Sequence, residues 1–139
     1  MKVQIKTVLL ASVVMVASMF ASCDDDKKCS PGTGGEVTLI LKPQHHGDPI
    51  YNQPGYPDSA FIAIGATEFP GDDPSQYDLI ATGVTGTDEV VVTGLKCGKY
   101  YVFMTGFDTS IVQRVKGGVP ISFSETSGTL TRVIPITED

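Results

Sequence analysis

The chain has 139 residues, with 10 Lys and Arg against 16 Asp and Glu, a formal charge of −6 at pH 7 and no tryptophan. That acidic balance argues against nucleic acid or anionic lipid headgroups as partners of its surface. The length suits one domain beside any targeting segment.

Residues 1–6 carry two lysines and no acid, and residues 7–21 form a nearly unbroken apolar run through Leu9, Leu10, Val13, Val14 and Val16 to Phe20. This is the layout of an export signal. The run is shorter than the roughly 20 residues a spanning helix needs, and aspartates in hydrocarbon are costly, so no permanent transmembrane anchor is expected. It closes on Phe20-Ala21-Ser22-Cys23, which resembles the lipobox of bacterial lipoprotein precursors, with phenylalanine where leucine is common. The resemblance implies a signal peptide over residues 1–22 and Cys23 as the lipidated first residue of the mature chain. An ordinary signal-peptidase cut near Ala21 or Ser22 is the alternative.

Cys23-Asp24-Asp25-Asp26-Lys27-Lys28 is similar to the acidic stretch behind the lipid cysteine in surface lipoproteins of Bacteroidota. That likeness implies the outer membrane and surface exposure, whereas in enteric bacteria an aspartate there would mean inner-membrane retention. The plain reading of the same residues is a solvated linker. Residues 23–34 are expected to be a flexible stalk, and a coil of that length reaches on the order of 20 Å. Residues 35–139 are expected to form the folded domain. Without residues 1–22 the chain keeps 8 basic against 16 acidic residues, a formal charge of −8. With Cys23 lipidated, Cys29 and Cys97 remain as a pair in an oxidising compartment, and a disulfide is expected, with two unpaired thiols as the alternative.

Beyond the stalk, apolar residues recur with period two, and no long stretch has a helical period. Strands are predicted over residues 36–42, 60–66, 77–81, 88–94, 99–107, 110–116, 119–124 and 129–137, with turns at Gly83, Gly86, Gly94, Gly98, Gly106, Gly117-Gly118 and Gly128. Short strands punctuated by glycine, without helices, predict an antiparallel Greek-key-type β-sandwich of seven to eight strands. Residues 88–102, DEVVVTGLKCGKYYV, resemble the strand, Gly-Leu, x-x-Gly-x-Tyr, strand signature of prealbumin-like sandwiches, including carboxypeptidase regulatory-like domains. The resemblance implies a turn at Gly98 and Tyr100 and Val102 on the core face of the next strand. It implies no ligand, because such folds host many roles.

Two connections are long: residues 42–59, with His45, His46, Tyr51, Tyr56 and four prolines, and residues 67–76, with Glu68, Asp72 and Asp73. Alternating strand directions place the first at the end of the domain away from the N-terminus, with residues 83–87, 107–110 and 125–128. The second falls at the near end, with Cys29 and Cys97. His45 and His46 are candidate metal ligands with Asp48 as third donor, but neighbours in an extended chain point to opposite sides, and exposed loop histidines are the plain alternative. Glu68, Asp72, Asp73 and Asp78 suit calcium by chemistry but lack an EF-hand spacing. Tyr51 and Tyr56 are candidate stacking residues for a sugar or a protein partner.

No catalytic motif occurs, and no enzyme or cofactor is expected. The expected role is a non-catalytic binding or structural module of the cell envelope, held to the membrane by its lipid and acting through distal loops or a sheet edge on a protein partner. The alternatives are a glycan-binding accessory of a surface polysaccharide uptake system and a metal-binding module built on the His45-His46 loop.

Overall fold

In a computed structural model, which describes residues 29–138, the domain is all-β. Its strands are β1 (Thr33–His45), β2 (Asp48–Pro49), β3 (Ser59–Ile64), β4 (Leu79–Thr82), β5 (Val90–Leu95), β6 (Gly98–Asp108), β7 (Gln113–Phe123) and β8 (Ser127–Glu138). A 3-10 turn, Pro74–Gln76, precedes β4. The strands form a curled mixed sheet in the order β2-β1-β8-β7-β6-β3-β4, with β5 also on β1. The curl sets β5, β1 and β8 across the core from β7, β6 and β3. Along β7 and β8 the ladder pairs only at Val115↔Glu138 and Lys116↔Thr137. The all-β, sandwich-like expectation from period-two patterning is thus met.

The patterning works strand by strand. Val37, Leu39 and Leu41 of β1, Tyr100, Val102 and Met104 of β6, and Ile134 and Ile136 of β8 are buried at every second position. Burying a branched aliphatic side chain contributes about 1.5–3 kcal/mol, and these rows make one continuous core. A second, outer cluster joins Tyr77, Tyr101 and Phe103 to Phe61. Phe69 packs on it, 5.3 Å from the Phe103 ring, so the long connection after β3 lies folded on the sheet.

Two predicted turns are not turns: Gly106 lies inside β6, paired with Val115, and the Gly117-Gly118 pair is the more consequential. Gly117 and Gly118 lie inside β7, so the two strands expected over residues 110–116 and 119–124 are one. A Cβ on Gly118 would stand 2.5 Å from the Val102 carbonyl oxygen, and one on Gly117 would stand 2.7 Å from that of Pro135. Here glycine serves close approach of backbones rather than chain reversal. The merger removes one reversal, so β8 runs parallel to β1, from Glu36↔Ser127 to His45↔Ile136. It also moves the connection between β7 and β8, residues 124–126, to the near end, whereas eight alternating strands place residues 125–128 at the far end. All other strand pairs are antiparallel. In the residue 88–102 segment, Tyr100 and Val102 are fully buried as expected, and the Gly98 turn carries the chain from the β1 layer to the β6 layer.

The near end is closed by the Cys29–Cys97 disulfide, with a Cα separation of 5.0 Å. Residues 29–34, expected as stalk, pack onto the domain. Gly32 N–H donates to Tyr100 Oη at 2.9 Å, and the Tyr100 hydroxyl donates to the Lys96 carbonyl at 2.6 Å. Lys96 N–H donates to Gly32 O at 2.9 Å. The buried hydroxyl is thereby satisfied. Residues 1–28, with the expected signal peptide and Cys23, lie outside the described residues.

At the far end, residues 109–112 join β6 to β7 and carry Val112 at φ 54°. A β-branched residue in the left-handed region is strained by about 1–3 kcal/mol. Val112 is also 75% exposed, so its side chain offsets little of this strain. Val112→Gly is expected to raise unfolding free energy by about 1 kcal/mol, after glycine's own entropy cost, as measured by urea denaturation.

Candidate functional site

Three inward-facing rows end in polar residues at the far end of the molecule. On β1 the row Val37, Leu39, Leu41 continues through Pro43 to His45, on β6 it ends at Asp108, and on β8 at Glu138. His45 is 3% exposed and Asp108 8%, positions the fold would otherwise give to apolar groups. The His45 Nδ1 and Asp108 Oδ2 atoms are 2.7 Å apart. Asp108 also accepts from the Ser110 hydroxyl at 2.6 Å and its N–H at 2.8 Å. The Ser110 hydroxyl foremost, then His45, hold the Asp108 carboxyl below the usual carboxylate range. An ionised carboxylate only accepts, so Nδ1 carries the hydrogen.

That leaves His45 Nε2 facing Glu138. The nitrogen stands 3.1 Å from Glu138 Oε2, yet the directions of approach fall outside hydrogen-bond geometry and this buried atom has no hydrogen-bond partner among the described residues. The Asp108 hydrogen bond chiefly, with the Glu138 carboxylate beside it, raises the pKa of His45 above its ordinary value. Glu138 is lowered, first by its own backbone N–H and then by His45.

His46 joins this pair because the chain turns there. His46 (φ 51°) and Gly47 (φ 90°) are both left-handed, the requirement of a two-residue type I′ hairpin, and His45↔Asp48 closes it. The turn overrides the alternation expected of extended chain. It puts the two imidazole centroids 4.2 Å apart and His46 Nε2 3.5 Å from Glu138 Oε1. The donor atoms of His45, His46 and Glu138 all lie within 4.8 Å of one another. Asp48, the third donor expected from sequence, is not part of this group.

The other predicted candidates are dispersed. Tyr51 is half exposed. Tyr56 follows a Pro54-Gly55 turn, with Gly55 at φ 78° and Tyr56 N–H donating to Gln53 O at 3.0 Å, a type II arrangement. Its ring stacks on Phe107 at 5.0 Å and lies under the Arg114 guanidinium at 5.6 Å. It borders a groove of about 440 Å³ lined also by Phe61, Asp72 and Phe103. A larger concavity of about 650 Å³ lies at the near end beside Cys29, Pro31 and Phe123. The acidic residues take separate local roles: Asp73 caps the 3-10 turn through Ser75 N–H, Asp78 accepts from Ile64 N–H, and Asp72 pairs with Lys116 at 3.2 Å. They do not converge as a calcium site.

The residues between β2 and β3 are held by Asn52, which sequence reasoning passed over. Its side-chain amide donates to Thr87 O at 3.0 Å and Glu89 O at 3.1 Å, and its carbonyl accepts Asp58 N–H at 2.8 Å. Asp58 itself is fully buried, and neither carboxylate oxygen has a hydrogen-bond partner among the described residues. Burial pushes its pKa up to about 6.

No protein-family model matches the chain, and searches of curated proteins and of solved structures also return no match.

Proposed function

We propose that this chain is a non-catalytic binding module of the cell envelope, tethered through a lipid on Cys23 and engaging a protein partner with its far end. The observation that supports this most is the separation of the two ends. Cys29, fixed to Cys97, lies at the near end, and His45, Asp108 and Glu138 end their strands at the other. Cys29 lies six positions after Cys23, a span of at most about 20 Å. β1 alone has 13 residues, which at about 3.3 Å each carry the far end roughly 40 Å from the near one. Among the described residues no helix is long and apolar enough to cross a membrane, and in this reading the lipid supplies the attachment.

A protein partner suits the far end better than a glycan. Tyr56 already stacks on Phe107 and contacts Arg114, so its ring is not a free platform for a sugar. Half-exposed Tyr51 and the groove beside Tyr56 give the mixed aromatic and charged surface common at protein interfaces. The anchor is tested by detergent-phase partitioning: the wild-type chain is expected in the detergent phase and Cys23→Ala in the aqueous phase. Equal partitioning of both into water would remove the anchor.

A further inference from the structure

We propose that His45, His46 and Glu138 form a binding site for a late first-row divalent cation such as zinc, with Asp108 as the residue that positions His45. The site goes beyond the tethered-module reading and does not depend on the anchor.

Two features suit this cluster to a metal cation. First, the neutral His45 ring places a lone pair, not a hydrogen, toward Glu138, whereas the protonated ring faces it as an ion pair. Asp108 claims the Nδ1 hydrogen at 2.7 Å, so the neutral ring has only acceptor character at Nε2. That nitrogen is buried, lacks a hydrogen-bond partner among the described residues, and stands 3.1 Å from a carboxylate oxygen. Two acceptors at that separation repel unless a proton or a metal cation lies between them, and a metal competes with the proton for this position. Second, carboxylate, imidazole and metal in series is the recurrent support of histidine ligands, because the outer carboxylate fixes both tautomer and ring orientation. Here Asp108 occupies the outer place.

The fit is close. Tetrahedral ligands about 2 Å from zinc stand roughly 3.3 Å apart. The three donor groups lie within 4.8 Å of one another, and His46 and Glu138, with exposed side chains, can rotate to close the difference. His45 is the rigid member and sets the centre. Two imidazoles and one carboxylate favour zinc, copper, nickel or cobalt over magnesium and calcium. Three protein donors leave a fourth position for water or for a donor from a partner.

The test uses the untagged full-length chain in detergent, freed of metal with EDTA and titrated with zinc chloride, and separately with cobalt chloride as a spectroscopic probe. Zinc is expected to raise the melting temperature by roughly 10 °C at a hundredfold excess over Kd. Cobalt is expected to give visible absorption of a tetrahedral site. His46→Ala and Glu138→Gln, both at exposed side chains, should keep the fold, weaken zinc binding at least tenfold and abolish the cobalt spectrum. Asp108→Asn should weaken binding about 10–100-fold while the metal-free chain stays folded. Cys23→Ala should titrate as the wild type does, which separates this site from the anchor. Absence of both zinc stabilisation and cobalt absorption in the wild type would overturn the site. So would wild-type affinity in both His46→Ala and Glu138→Gln, or equal stabilisation by calcium.

Discussion

The Cys29→Ser/Cys97→Ser double variant is expected to lose about 4 kcal/mol of stability, by the loop-closure entropy that a cross-link spanning 68 residues removes from the unfolded chain. In a domain of this size that loss corresponds to a fall in melting temperature of roughly 15–20 °C, read by circular dichroism. The position of the bond adds to its consequence. It pins the entry of β1 against the turn between β5 and β6, where Gly32 and Tyr100 already share hydrogen bonds. Those bonds persist in the variant, so it should fold to the same structure with its far end unchanged. A melting temperature within a few degrees of the wild type would contradict a stabilising role for the disulfide.

Asp58→Asn is expected to stabilise the protein at neutral pH, against the usual direction of substitutions at fully buried positions. The Asp58 carboxyl titrates near pH 6 in the folded chain and near 3.8 when exposed. Between those values the native state binds the proton more tightly than the unfolded state, so stability from this group falls as pH rises from about 4 to about 6. A difference of about two units corresponds to roughly 3 kcal/mol. Wild type and Asp58→Asn should therefore have similar urea midpoints near pH 4, and the variant should lead by up to about 3 kcal/mol at pH 7. A gap that does not change with pH would contradict the buried, unpaired carboxyl.

The strands were legible because their inward rows alternate: Val37-Leu39-Leu41 and Val119-Ile121-Phe123 carry the period directly. The misreading at Gly117-Gly118 has a physical cause. A glycine pair signals a chain reversal or a close backbone approach, and only the positions of Val102 and Pro135 decide which. That one choice also set the direction of β8, and with it the end at which Glu138 lies. The candidate site was half legible. His45 continues the β1 alternation, and Asp108 and Glu138 continue those of β6 and β8, so three apolar rows ending in polar residues were readable from the sequence. Their convergence was not, because it depends on the parallel register of β1 with β8. The contribution of His46 was hidden by the assumption of extended chain, where a left-handed residue before Gly47 instead folds the two imidazoles together. Asn52 left no periodic signal at all; it acts through a loop-to-loop network that local sequence does not specify.

In the proposed function, the end tethered through Cys23 and the end that engages a partner are opposite. This arrangement is tested by placing a single fluorophore at Ser124→Cys on the near end or at Thr85→Cys in the far-end loop, in the lipidated chain reconstituted into liposomes that carry a headgroup quencher. Strong quenching at residue 124 and weak quenching at residue 85 is the predicted result. Equal quenching at both positions, or stronger quenching at residue 85, would contradict it.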